Sequence, residues 1–225
     1  GLVGSEMCIR DRGKMCGNGI RCVGKFLYDH GMVDINEKDE ITIETLSGIK
    51  KLKAYTSGGK VNRLRVDMGK AILDPKEIPV VLDGDKVVDR PVEIAGKNYN
   101  ITCVSMGNPH CVVFMDDIDN LDIETVGPEF ENDKLFPERV NTEFVTVLDD
   151  HTIKMRVWER GSGETWACGT GACAVAVAAC ENGFCKKGED IKIKLKGGDL
   201  IINYTDETVY MTGNAEKVFE GEVEV

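Results

Sequence analysis

One short signature occurs twice in this chain. Met15 to Gly31 reads M-C-G-N-G-I-R-C-V-G-K-F-L-Y-D-H-G, and Trp166 to Gly183 reads W-A-C-G-T-G-A-C-A-V-A-V-A-A-C-E-N-G. Each has Cys-Gly-x-Gly, then an apolar segment, then a closing glycine. Cys16 to Gly31 and Cys168 to Gly183 both span fifteen positions. The echo continues downstream, where Arg65-Val66-Asp67-Met68-Gly69 resembles Val209-Tyr210-Met211-Thr212-Gly213. This predicts one unit used twice, with one cysteine per unit at the same structural spot.

The glycines after each cysteine permit a tight turn with close backbone approach. Ile20, Val23 and Leu27 recur at helical spacing, and Ala172 to Cys180 carries no polar side chain. Helices are therefore expected from about Gly19 to His30 and after Cys168, with Gly31 and Gly183 as C-terminal caps. Each cysteine sits at a helix start, where N–H groups and the helix dipole favour an anion. The expectation is a stabilised thiolate with a lowered pKa. The same N–H groups suit a substrate carboxylate.

Between the signatures, strands are predicted at Ile41 to Leu46, Lys50 to Tyr55 and Val61 to Met68, with a hairpin turn at Ser57-Gly58-Gly59. Further strands are expected at Val92 to Ile94, Tyr99 to Val104 and Cys111 to Met115. Met106 to His110 reads as a polar turn, and a short helix is expected around Ile123 to Asn132. Val140 to Leu148 and Ile153 to Trp158 form a predicted hairpin. Strands follow at Ile191 to Leu195, Leu200 to Tyr204 and Thr208 to Met211. Val218 to Val225 alternates like an edge strand. Gly1 to Lys14 shows neither alternation nor helical period. Many antiparallel strands around one apolar helix per unit make this an α+β chain. The domain expectation is residues 1–71, completed by 213–225, and residues 72–212.

The charge is 28 minus 39, or −11, which argues against nucleic acid as partner. The longest apolar run, Ala172 to Cys180, is far short of the roughly 20 residues of a membrane span, so no membrane is expected. Nine cysteines form no Cys-x-x-Cys, and His30, His110 and His151 are scattered. Reduced cytoplasmic thiols fit better than a disulfide frame or a zinc site.

Two matched cysteines suit one task. Inverting a stereocentre requires proton removal on one face and delivery on the other, and a thiolate–thiol pair can do both in either direction. The motifs M-C-G-N-G-I-R-C, S-M-G-N-P-H-C-V, R-V-N-T-E-F and W-E-R-G-S-G-E-T-W-A-C-G-T-G-A-C resemble those of diaminopimelate epimerases. The resemblance implies an isomerase that interconverts LL- and meso-diaminopimelate without cofactor or metal, on the route to lysine and peptidoglycan, with a homodimer compatible. It implies Cys16 and Cys168 as catalytic residues. Gly17, Asn18, Gly169 and Thr170 would offer helix-start groups to the reacting carboxylate, and Asn108 would bind near it. Asn141, Glu159 and Arg160 would hold the distal end. Chemically, Arg160 offers a bidentate carboxylate fork, and Glu159 a partner for an ammonium. His110 and Glu159 would tune the cysteines, although His110 also reads as a turn cap.

Three other readings stay open: a proline-racemase-like enzyme, a thiol-based metal or redox protein, and an inactive fragment. Ile101 lies 67 positions before Cys168, but only 15 residues precede Cys16. If the units are equivalent, roughly fifty residues of the first are absent. Ile20, Val23, Phe26 and Leu27 are then expected to lose cover, leaving a loosened first unit and a poor enzyme.

Overall fold

The computed structural model describes residues 6–8, 11–12, 16–33, 39–46 and 48–222, with backbone alone for 6–8 and 11–12. The chain divides into two compact units, Gly1–Val66 with Thr212–Val225, and Asp67–Met211. Each is an α+β assembly.

In the first unit, α1 (Gly17–Asp29) is followed by the antiparallel strands β3 (Glu40–Thr45), β4 (Gly48–Ser57) and β5 (Lys60–Gly69), the last running on past Val66. Ahead of them β1 (Glu6–Cys8) and β2 (Asp11–Arg12) pair antiparallel, where the sequence pattern gave no strand. The β4–β5 hairpin turns at Gly58 and Gly59, whose φ of 60° and 77° are left-handed values that favour glycine. Leu52, Leu64 and Val66 are fully buried. Gly24 of α1 sits so close that a Cβ there would stand 2.8 Å from Leu64 Cδ2 and 2.9 Å from Leu52 Cδ2.

The second unit holds β6 (Arg90–Ile94), β7 (Lys97–Ser105), β8 (Pro109–Phe114), α2 (Ile123–Glu131), β9 (Asn141–Asp149), β10 (Thr152–Glu159), β11 (Gly163–Thr165), α3 (Gly169–Glu181), β12 (Asp190–Leu195), β13 (Gly198–Tyr204) and β14 (Val209–Asn214), whose end passes Met211. The strand order is β13-β12-β10-β9-β8-β7-β6, with β11 against β10. The pairs β8–β9 and β10–β12 are parallel and the other described pairs antiparallel.

Period two sorts the side chains onto two faces. On β10, Ile153, Met155 and Val157 point inward; on β12, Ile191 and Ile193 do. Ala172 to Ala179 of α3 are all at 0% exposure, as a helix apolar on every side requires. A second core includes Ile101, Ile123, Phe130 and Phe144. The Phe130 and Phe144 rings meet edge-on at 5.4 Å, so α2 packs on the Phe144 face of β9. Glu143, the residue before it on that strand, points to the opposite face, toward Gly171 of α3.

Three expectations need correcting. α1 starts at Gly17 rather than about Gly19, because Cys16 caps it and Gly17 already takes helical geometry, whereas α3 starts directly after Cys168 as expected. Strand β8 begins at Pro109, so His110 lies in a strand. The described part of the tail, 215–222, forms no strand; Val218 and Phe219 are 90% and 82% exposed. Alternation supplied a face there but nothing for it to pair with. Residues 223–225 lie outside the described residues.

Candidate active site

The two signatures build the same local object. α1 and α3 each contain 13 residues. Their N-caps, Cys16 and Cys168, have φ/ψ of −127°/107° and −121°/109°. Each sulfur accepts the N–H three residues on: Gly19 N to Cys16 Sγ at 3.3 Å, Gly171 N to Cys168 Sγ at 3.4 Å. A thiol thus takes the place usually held by a Ser or Asp oxygen. Each helix closes the same way. Gly31 N bonds Tyr28 O and Met32 N bonds Leu27 O; Gly183 N bonds Cys180 O and Phe184 N bonds Ala179 O. Gly31 and Gly183 have φ of 64° and 78°, so both expected caps hold.

The surroundings of the two sulfurs differ. Cys16 is half-buried, whereas Cys168 is 5% exposed. Burial pushes the Cys168 thiol well up, and the carboxylates of Glu159 and Glu143 add to this. The Thr170 hydroxyl and the Gly171 N–H pull the other way without winning. The expected lowering is therefore overturned at Cys168. The helix start acts as anticipated, but tertiary burial and two carboxylates outweigh it.

A chain of hydrogen bonds runs behind this sulfur. Thr170 Oγ1 lies 3.6 Å from Cys168 Sγ and accepts from Asn108 Nδ2 at 3.3 Å. Asn108 Oδ1 is 3.1 Å from His110 Nε2, and His110 Nδ1 is 2.7 Å from Glu143 Oε1. His110 and Glu143 are both fully buried. Both imidazole nitrogens meet side chains, so His110 is not the turn cap that remained an alternative. Asn108, His110, Cys168, Gly169 and Thr170 thus share one neighbourhood. Gly169 is buried and Thr170 half-buried.

Of the remaining residues of this unit, Asn141 begins β9, Glu159 ends β10 and Arg160 follows in the turn. Asn141 spends its amide on the backbone: Nδ2 donates to Pro109 O at 3.1 Å, and Oδ1 accepts from Arg160 N at 2.9 Å. Arg160 Nη1 donates to Glu138 O at 2.8 Å. Glu159 Oε1 accepts from the Thr165 hydroxyl. The unforeseen organiser is Glu131 of α2. It accepts from Trp158 Nε1 at 2.7 Å, Arg139 Nη1 at 2.9 Å and Gly161 N at 2.9 Å. Trp158 can lie there because Gly127 has no side chain; a Cβ would stand 2.3 Å from the indole. In the first unit, Gly17 is buried and Asn18 half-buried, both in the first turn of α1.

Glu131 and Glu143 escaped the sequence reading. For Glu143 the available signal was the single charged side chain within the stretch N-T-E-F-V-T-V-L. A groove of about 910 Å³ lies elsewhere, along the outer side of α1 in the first unit, and includes neither capping cysteine.

The pattern of the family described as diaminopimelate epimerase matches residues 10–73 and 102–218. A diaminopimelate epimerase of Agathobacter rectalis is 51% identical over 221 residues, covering 94% of this chain and 76% of its own. One from Acetivibrio thermocellus is 52% identical over 214 residues, covering 94% and 75%. In fold, the chain is similar to the crystal structure of a probable proline racemase from Agrobacterium radiobacter, with a TM-score of 0.70 at 14% identity, over 92% of this chain and 67% of that one. The chain belongs to the diaminopimelate epimerase family.

Proposed function

We propose that this chain epimerises LL-diaminopimelate to meso-diaminopimelate by two-thiol acid–base chemistry, with Cys16 and Cys168 serving opposite faces of the α-carbon and no metal or cofactor taking part. Family membership supports the reaction. The observation that carries the mechanism is the repeated cysteine cap, with the same helix length, dihedral angles and sulfur–N–H contact in both units.

In one direction a thiolate removes the α-proton while the opposite thiol delivers its own. The negative charge that develops on the reacting carboxylate suits helix-start N–H groups, and this role is assigned to Gly17, Asn18, Gly169 and Thr170. Asn108 orients the reacting end. Glu159, Arg160 and Asn141 take the distal amino acid, Arg160 with the carboxylate and Glu159 with the ammonium. His110 and Glu159 adjust the thiols. None of the eight described cysteines is bridged, which fits a reducing compartment such as the cytoplasm.

The test is turnover in deuterium oxide. Each inversion should place one solvent deuteron at the inverted carbon, with no loss after EDTA. Cys16→Ala and Cys168→Ala should each slow inversion by about 10²–10⁴-fold, the range of positioned acid–base groups. Inversion without deuterium uptake, or a near-normal rate in either variant, would refute the mechanism. Proline racemised in preference to diaminopimelate would refute the substrate.

A further inference from the structure

The Glu143 carboxyl is at 0% exposure, its Oε2 has no hydrogen-bond partner among the described residues, and its Oε1 touches His110 Nδ1 at 2.7 Å. It also faces the half-site directly. An ideal Cβ at Gly171 would lie 2.6 Å from Glu143 Oε1 and 3.2 Å from Cys168 Sγ, so little more than one methyl group separates carboxyl and sulfur.

The hydrogen-bond chain fixes where protons sit. Asn108 gives its amide hydrogens to Thr170, so its Oδ1 accepts and His110 Nε2 must donate. The Nδ1–Oε1 contact then needs one proton of its own. Either Glu143 is a neutral acid donating to a neutral imidazole, or it is a carboxylate accepting from an imidazolium. An ionised carboxylate with one empty, buried oxygen is costly, which favours the neutral acid.

We propose that Glu143 is a positioning residue for Cys168: it shares a single proton with His110, fixes the ring with Nε2–H toward Asn108, and by holding or releasing that proton sets how readily the neighbouring sulfur ionises. This rests on Cys168 being a catalytic thiol. The titratable groups facing Glu143 are His110 on β8, Glu159 at the end of β10 and Cys168 before α3, while Cys111 lies on the other face of β8 in the core with Phe144. Burial acts first to raise the Glu143 carboxyl, against the pull of His110, and Glu159 adds to the rise. A thiolate on Cys168 favours the arrangement with the proton on Glu143. An ionised Glu143 opposes it.

Glu143→Gln keeps the shape and removes the titration. The readout is the pH dependence of iodoacetamide alkylation at Cys168, followed by peptide mass spectrometry, which needs no turnover. The variant's alkylation midpoint should move to lower pH by about one unit, because above the pH at which the shared proton is released Gln cannot carry the negative charge that Glu143 then puts beside the sulfur. A midpoint unmoved or raised would overturn the proposal. A second measurement uses the unaltered protein, so misfolding of the variant decides nothing. Imidazole ¹⁵N shifts should show His110 protonated at Nε2 throughout pH 5–9, and a bare Nε2 with Nδ1–H would overturn the proposal. Because both readouts ignore turnover, a protein that passes them but fails to epimerise diaminopimelate would count against the proposed function alone.

Discussion

α1 and α3 are the same helix in two settings. The lengths are equal, the cysteine caps agree to within about 6° and the sulfur contacts to a tenth of an ångström, and both helices close on a left-handed glycine. Their flanks do not. α3 is buried at every position from Gly171 to Ala179. α1 buries only Gly17, Ile20, Arg21 and Gly24, with Cys22 exposed and Phe26 43% exposed. Of the four apolar residues expected to lose cover, Ile20 is buried, Val23 and Leu27 half-buried, and Phe26 exposed. The cysteine-capped helix is thus a local device, written in Cys-Gly-x-Gly and a closing glycine. The state of its sulfur is set by what packs around it.

A methyl group at the closest approach in each helix should separate the two settings most. At Gly171 a Cβ meets Glu143 Oε1 at 2.6 Å, Met155 Cε at 3.1 Å and Cys168 Sγ at 3.2 Å, three contacts on buried residues, two of them polar or ionisable groups. Gly171→Ala should cost about 1–3 kcal/mol by overpacking and lower kcat as Cys168 shifts. At Gly24 the neighbours are two leucine methyls. Leucines can turn, and Ala is better than Gly inside a helix by about 1 kcal/mol. Gly24→Ala should therefore cost less than Gly171→Ala in denaturant melts and leave kcat nearer normal. The reverse order would mean that α1, not α3, holds the tighter half-site.

Native-state hydrogen exchange should rank the helices next. Amides of α3 should exchange only through global unfolding, and those of α1 through cheaper local opening. Equal protection across residues 20–29 and 172–181 would show that the bare flank of α1 does not weaken it.

Much of this was legible in the sequence, for a physical reason. Caps, closing glycines and period-two strands are decided within a few residues, so both helices and the hairpins could be read directly. The family motifs also marked Asn108, His110 and Thr170. The parallel register of β8 with β9 was not legible. It sets His110 opposite Asn141 and brings the imidazole to Glu143, 33 residues away. The sign of the Cys168 shift was missed for the same reason, since a helix dipole is local while burial and the Glu143 and Glu159 carboxylates are not.

The smallest difference expected concerns the last residue of each helix. Both end on an acid, Asp29 and Glu181, where the helix dipole disfavours negative charge. Burial also raises both carboxyls, yet both lie below their ordinary values because lysines and N–H donors outweigh it. Asp29 pairs with Lys25 at 2.7 Å and accepts from Val61 N at 2.9 Å. Glu181 pairs with Lys86 at 2.8 Å and Lys187 at 3.4 Å, and accepts from the Tyr204 hydroxyl at 3.3 Å. A lowered carboxyl contributes stability that is present above its ordinary pKa, about 4, and lost as pH falls through the lowered value. Asp29→Asn and Glu181→Gln should each cost about 0.3–1 kcal/mol at pH 7, because relief of the dipole offsets part of the lost pairing. Each should also flatten the fall in stability between pH 5 and 3. Glu181→Gln should cost more, since it releases two lysines beside a buried helix. Denaturant midpoints across that pH range give the answer, and an unchanged slope in both variants would show that these pairs contribute nothing to acid sensitivity.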